Sequence, residues 1–317
     1  VLLRSLVTVL LASALQPCGA RPDAPQRPAR PLDTCLGRFR LATPPGLRAS
    51  STEYAIYGTL VRGEALAGRA PDEVFEARLA ALRADPKVSE VEPFSLPSGL
   101  RGATYREGPH TLLVEAFSAR GDEGLWLFRD LPEGKLPVAQ KLLENIASAW
   151  VPAPAGGFCF GRGAIQAVSL SERTRLRLVD DARPELSLEV DTRTVARPAG
   201  DELDLEEVRA FAKLTKSTLR VFRDRRRVVA GLPGIERCLA TTLPDGRELV
   251  RCAFAFPGRA RSAEAPRLRL DGLARGTDGA ALEAAWDALL DSMEAMPLPP
   301  PRPAGPPDAG LDAAEPG

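Results

Sequence analysis

The sequence predicts an α+β protein made of two tandem, structurally similar domains, each an antiparallel sheet packed with two helices. Three observations lead there. Cys35-Leu36-Gly37-Arg38 recurs as Cys159-Phe160-Gly161-Arg162. Each copy is followed, in the same order, by alternating apolar segments and by segments with apolar residues at helical spacing. A Pro- and Gly-rich stretch at 151–157 separates the copies. At 317 residues the chain is long enough for two domains of ordinary size. With 44% hydrophobic and 26% charged residues it is globular rather than disordered.

The first copy occupies 34–150. Cys35, Gly37, Phe39 and Leu41 share one face of a strand, and Tyr54, Ile56, Gly58 and Leu60 share a face of the next. Pro71-Asp72-Glu73 opens a helix, with proline near its first position and acids in its first turn. Phe75, Leu79 and Leu82 give that helix a buried stripe. Thr111 to Phe117 and Gly124 to Phe128 read as two further strands. A closing helix after Pro137 carries Val138, Leu142, Ile146 and Trp150 at four-residue steps.

The linker covers 151–157 and the second copy 158–296. Cys159, Gly161, Gly163 and Ile165 line a strand face, and Arg175 to Val179 and Leu186 to Val190 alternate as strands. Asp204 with Glu207 resembles a capping box, and Leu205, Val208 and Phe211 continue at helical spacing. A hairpin about Pro244-Asp245-Gly246 follows, then Arg267 to Leu270 as a strand. The last helix places Leu282, Trp286, Leu289 and Met293 on one face. Trp150 and Trp286 read as core residues of equivalent helices. Residues 297–317, rich in Pro, Ala and Gly, read as a disordered tail.

The start of the chain reads as an export signal, residues 1–18. Arg4 precedes an apolar run from Leu6 to Leu15, too short for a bilayer span, which needs about twenty residues. Leu15-Gln16-Pro17-Cys18 fits a bacterial lipoprotein signal in its Leu and Cys, with Pro17 where a small residue is usual. Cys18 is therefore a candidate lipidation site, the other reading being an ordinary signal peptide with an incidental cysteine. The Pro-rich 19–33 suits a tether between membrane and domain. The expected location is the periplasm, with a lipid anchor in the outer membrane of a Gram-negative bacterium. Membrane contact is expected only through that anchor.

An oxidising compartment makes the remaining cysteines candidates for pairing. In a hairpin centred on Asp245, Cys238 and Cys252 lie opposite one another, close enough for a disulfide. Two buried free thiols are the other reading. Cys35 and Cys159 begin the equivalent strands of the two copies and are a possible second pair, though spacing alone does not fix connectivity.

Composition argues against most other functions. With 42 basic and 42 acidic residues the formal net charge is zero, and no nucleic-acid partner is expected. Arg223 to Arg227, broken by Asp224, reads as a solvated helix end or loop, or else as a phosphate-binding patch. The single histidine, His110, would have to be the base of any Ser-His-Asp or Cys-His enzyme. G-x-S-x-G, H-E-x-x-H, C-x-x-C and P-loop motifs do not occur. No catalytic residue, cofactor site or metal site is nominated, and the chain is expected not to be an enzyme.

The order of several segments resembles a known family. These are the two Cys-x-Gly-Arg strands, Tyr54-Ala55-Ile56-Tyr57-Gly58, and Glu172-Arg173-Thr174-Arg175-Leu176-Arg177-Leu178. Pro184-Glu185-Leu186-Ser187-Leu188-Glu189-Val190-Asp191-Thr192 and the closing helix with Trp286 continue it. Together they are similar to the two-domain immunity proteins that protect bacteria against lipase effectors of the type VI secretion system. The resemblance implies a periplasmic inhibitor whose two domains clamp a cognate lipase effector, which is the expected partner. Closing two modules on one target makes the second contact effectively intramolecular. The charged stretches at 101–109 and 119–123 read either as contact loops or as solvated turns. The alternative function is an envelope lipoprotein with a structural or assembly role, binding another envelope protein.

Overall fold

A computed structural model describes residues 34–299 apart from 153–155, 199–208, 211–212, 215–216 and 245. The export signal with Cys18, the tether up to 33, the tail beyond 299 and the helix start at Asp204 and Glu207 lie outside the described residues. The N-terminal half supplies β1 (Thr34–Leu36), β2 (Phe39–Leu41), β3 (Leu47–Ile56), β4 (Thr59–Ala65), α1 (Pro71–Ala84), β5 (Val88–Ser95) and β6 (Arg101–Glu107). It continues with β7 (Thr111–Arg120), β8 (Glu123–Asp130), α2 (Leu136–Ala149) and β9 (Trp150–Val151). The C-terminal half supplies β10 (Phe158–Phe160), β11 (Gly163–Ile165), β12 (Glu172–Asp180), β13 (Ser187–Arg193), β14 (Thr218–Val229) and β15 (Leu232–Thr242). Then follow β16 (Glu248–Phe256), β17 (Arg267–Arg275), α3 (Gly279–Ser292) and β18 (Glu294–Ala295).

Among the described residues the protein is mostly β, 51% strand against 19% helix, which overturns the expected pair of α+β domains with two helices each. Twelve strands from both halves form one antiparallel sheet in the order β14-β15-β16-β17-β13-β12-β3-β4-β8-β7-β6-β5. The junction is β3. It pairs with β12 from Ile56↔Glu172 to Leu47↔Asp180, with one irregularity between Arg177 and Leu178. With its own neighbour β4 it pairs only at Ala55↔Leu60 and Ile56↔Thr59. A strand read as internal to the first copy is thus bonded chiefly to the second.

Each Cys-x-Gly-Arg segment is a tight hairpin rather than the single strand its alternation suggests. Leu36 faces Phe39 across Gly37-Arg38, and Phe160 faces Gly163 across Gly161-Arg162. Gly37 has φ +63°, a conformation that a side chain disfavours and that turns the chain sharply. The first hairpin is extended by β18, the strand after α3, and the second by β9, the strand after α2.

The cores follow this exchange. Leu36, Phe39, Leu41 and Leu47 from the N-terminal half pack with Leu188, Leu270, Phe254 and Trp286 of the C-terminal half. Phe158, Phe160 and Ile165 pack with Trp150, Leu143, Ile146 and Leu125 of the other. Both tryptophans are fully buried. Burial of a large apolar side chain contributes about 1.5–3 kcal/mol, so this interlocking supplies much of what holds the halves together.

Helix α1 buries Val74, Phe75, Leu79 and Leu82. Helix α2 is rotated from its expected face. It buries Ala139, Leu143, Ile146 and Ala147, while Val138 is 47% exposed. The N-terminal part of the sheet lies between these helices, with Phe117 and Trp126 toward α1 and Leu125 and Leu127 toward α2. In the C-terminal part, Leu268, Leu270 and Phe254 face α3. Strands β5, β6 and β14 are additional to the expected ones. β5 exposes most of its residues and contains Pro93, a residue tolerated at a sheet edge, where this strand lies. Among the described residues no helix is long and apolar enough to cross a membrane.

Candidate functional site

The two Cys-x-Gly-Arg hairpins meet at the middle of the molecule. The Gly37 amide donates to the Cys159 carbonyl at 2.9 Å, and the Cys159 amide donates to the Gly37 carbonyl at 2.7 Å. Cys35 and Cys159 are both buried free thiols that share a small cluster with Ala164 and Met296. The Cys159 thiol also donates to the Phe39 carbonyl at 3.3 Å. Burial pushes its pKa upward. The hydroxyl of Tyr54, from β3, donates to the Cys35 carbonyl at 2.8 Å.

The arginines of the repeated motif have opposite fates. Arg38 is 4% exposed and meets Glu172, itself 5% exposed, through two guanidinium nitrogens, one of them at 2.8 Å. It also donates to the Ala167 carbonyl at 2.7 Å. Buried charge is tolerated only with such pairing, so this contact ties β12 to the first hairpin. Arg162 pairs with Glu123 at 2.9 Å and is largely exposed.

In the β15–β16 hairpin Cys238 lies opposite Cys252, with Cα atoms 4.1 Å apart and the sulfurs joined. The neighbouring Arg223–Arg227 cluster is neither a solvated helix end nor an open phosphate patch. It belongs to strand β14, where alternate arginines point toward Glu236, a fully buried carboxylate on β15. Glu236 accepts hydrogen bonds from Arg225 at 2.7 Å, Trp286 Nε1 at 3.0 Å, Arg223 at 3.1 Å and Arg227 at 3.2 Å. Arg223 and Arg227 continue to Asp287 on α3. Burial works to raise the Glu236 pKa, but the hydrogen bonds from Arg225, Trp286 and Arg223 outweigh it and hold the carboxyl below its ordinary value. The cluster fastens α3 to the sheet.

The sheet face turned away from α3 is strongly basic. A concavity of about 770 Å³ is lined by Arg173, Arg175, Arg193, Arg251, Arg267 and Arg269, with Asp191 and Asp271 among them. Register places Arg173 opposite Arg193 and Arg193 opposite Arg267, so three arginines stand abreast on adjacent strands. Asp271 pairs with Arg269 at 2.6 Å and with Arg251 at 2.8 Å. This face corresponds to the one that α1 covers in the N-terminal half: β17 follows β13 in the sheet order as β8 follows β4.

Other expected residues separate. His110 is exposed in the turn between β6 and β7, with no catalytic partner among the described residues. Most of 101–109 is strand β6 rather than a contact loop, and 119–123 is the tip of the β7–β8 hairpin. No group of three or more His, Cys, Asp or Glu side chains that could hold a metal occurs among the described residues. Reading the sequence alone missed the Arg38–Glu172 pair and the Glu236 network. The alternation of Arg173, Arg175 and Arg177 was a visible signal for the basic face.

Comparison with known proteins finds one family model and a set of similar folds. Residues 152–297 match the family model described as Tle cognate immunity protein 4 C-terminal domain. No curated protein matches the chain. Among solved structures, the Tle4–Tli4 complex superposes with a TM-score of 0.65 at 19% identity, covering 83% of this chain and 97% of that one. The apo immunity protein TplEi of the type VI secretion system from Pseudomonas aeruginosa gives 0.64 at 17%, covering 83% and 96%. TplEi with a bound "L" peptide gives 0.62 at 20%, covering 83% and 97%. The fold is therefore shared over most of the chain, beyond the segment that the family model spans. Over residues 152–297 the chain matches the Tle cognate immunity protein 4 C-terminal domain, the kind of protein that its sequence resembles.

Proposed function

We propose that this chain is a periplasmic immunity protein that binds a cognate lipase effector of the type VI secretion system and silences it. The observation that carries this reading is the family match over 152–297, with a fold like that of the Tle4–Tli4 complex across both halves. In this reading residues 34–150 and 158–296 act as two lobes that grip the effector between them. The continuous sheet through β3 and β12 gives such a clamp a pre-set geometry, which reduces the ordering cost of binding. Export by residues 1–18, with Cys18 lipidated and 19–33 as tether, would hold the protein at the outer membrane.

The test is co-expression with a candidate lipase effector, sought first among the neighbouring genes and directed to the periplasm. Survival of the host and co-purification of the two proteins are expected. Survival without a complex, or a complex without protection, overturns the reading. Hydrogen exchange on the complex tests the clamp: protection is expected in both halves, and protection in one alone overturns it. Incorporation of a labelled fatty acid that is lost in Cys18→Ala tests the anchor.

A further inference from the structure

We infer that Cys35 and Cys159 form a second cystine, one that closes across the two first hairpins and staples the N-terminal half covalently to the C-terminal half. Geometry carries this. The hairpins are already aligned by the two hydrogen bonds between Gly37 and Cys159. The two cysteines lie in one small buried cluster, with Met296 and Ala164 around them. Both are free thiols in this structure, the dithiol form of the pair. Neither belongs to a metal-binding group among the described residues.

The chemistry is thiol–disulfide exchange with a disulfide oxidant, either a periplasmic thiol oxidase or oxidised glutathione. Cys35 retains 8% exposure and Cys159 none, so Cys35 is the accessible attacking group. Its thiolate attacks one sulfur of the oxidant and releases the other as a thiolate. The Cys159 sulfur, having given up its proton, then attacks Cys35 Sγ in the mixed disulfide and expels the second thiolate. Two thiols lose two protons and two electrons, and the oxidant leaves as two thiols.

The position gives the bond its consequence. Sheet pairing through β3 and the reciprocal hairpins hold the halves by non-covalent contacts, and local opening at this junction would let them part. A cystine here closes a loop that spans the whole N-terminal half, and long loops lose most entropy from the unfolded chain. The Cys238–Cys252 bond, with a separation of only 14 residues, fixes one hairpin and leaves the halves unconnected. The Cys35–Cys159 bond would fix the span of the clamp, and to that extent the inference rests on the proposed function.

The experiment uses the full chain exported to the periplasm, alkylated in denaturant without reduction, digested and analysed by mass spectrometry. A peptide pair joined through Cys35 and Cys159, about 2 Da lighter than the two thiols and separated by reduction, is expected. Quantitative alkylation of both residues, or linkage of either to another cysteine, overturns the inference, unless the purified reduced protein closes the same bond with oxidised glutathione. Closure in vitro together with free thiols in vivo counts against the export reading and leaves the pair standing. A thermal measurement adds a second arm: reduction lowers the wild-type midpoint by at least about 5 °C more than that of Cys35→Ser. Equal shifts show that the bond constrains nothing.

Discussion

Gly37 and Cys159 exchange a pair of backbone hydrogen bonds, 2.9 Å in one direction and 2.7 Å in the other. This is where the two copies of Cys-x-Gly-Arg touch, so the internal repeat is itself a contact. A duplicated module commonly gives two bodies with a linker. Here each first hairpin is instead completed by the strand after the other half's last helix, β18 for the first and β9 for the second.

Gly37 is the tightest point of that contact. A methyl group on it would stand 2.5 Å from Thr174 Oγ1 and 3.1 Å from the Phe158 ring, on a backbone with φ +63°. Gly108 has a similar φ of +67° with nothing near. Gly108→Ala should therefore cost only the conformational strain, about 1–2 kcal/mol. Gly37→Ala should cost about 3 kcal/mol or more, because the clash adds to the strain. Urea denaturation of the two variants measures the difference, and equal losses would show that the hairpins can separate without penalty.

The repeated arginine offers a sharper comparison, because the same motif position is buried once and exposed once. Arg38→Ala leaves the Glu172 carboxylate buried without its partner, for a loss of about 3–5 kcal/mol. Arg162→Ala removes only an exposed pair with Glu123, worth about 0–1 kcal/mol. Thermal melting of both variants reads this directly. A mild Arg38→Ala would mean that Glu172 reaches water or takes up a proton in its place.

What the sequence made legible followed local rules. The stripe Phe75, Leu79 and Leu82 located α1, and the turn at Asp245 placed Cys238 opposite Cys252. Other features depended on partners far along the chain. Strand β14 looks like a solvated charge run until Glu236 and the acids of α3 are brought to it. The pairing of β3 with β12 has no local signal, because both strands alternate well enough to sit in separate sheets. That one pairing turned two expected domains into one sheet. The Cys-x-Gly-Arg segments misled differently: alternation through Gly37 fits a strand as well as it fits a two-residue hairpin. Of the central site, the cysteines were legible from the repeat and their proximity was not.

Glu236 should set the acid stability of the C-terminal half. Its burial alone would raise its pKa, yet the hydrogen bonds from Arg225, Trp286 and Arg223 and the charge of Arg227 bring it below the 4.5 of an exposed glutamate. Asp287 is likewise held below 3.8, burial again being outweighed by its bonds to Arg223 and Arg227. A carboxylate whose folded-state pKa is depressed stabilises the fold fully above its unfolded value. That contribution is lost as pH falls through the folded one. The wild-type thermal midpoint should accordingly hold between pH 7 and 5 and fall below about 4.5, as protons take the places of the arginines. Glu236→Gln keeps the shape but leaves Arg223, Arg225 and Arg227 without their shared charge, and should cost about 3 kcal/mol at pH 7. Its midpoint should then change less with pH in the acid range, so that the two curves converge toward pH 3. Curves that stay parallel down to that pH would mean that Glu236 is not ionised in the native protein, and that the arginines are held to α3 by Glu283, Asp287 and Asp291 alone.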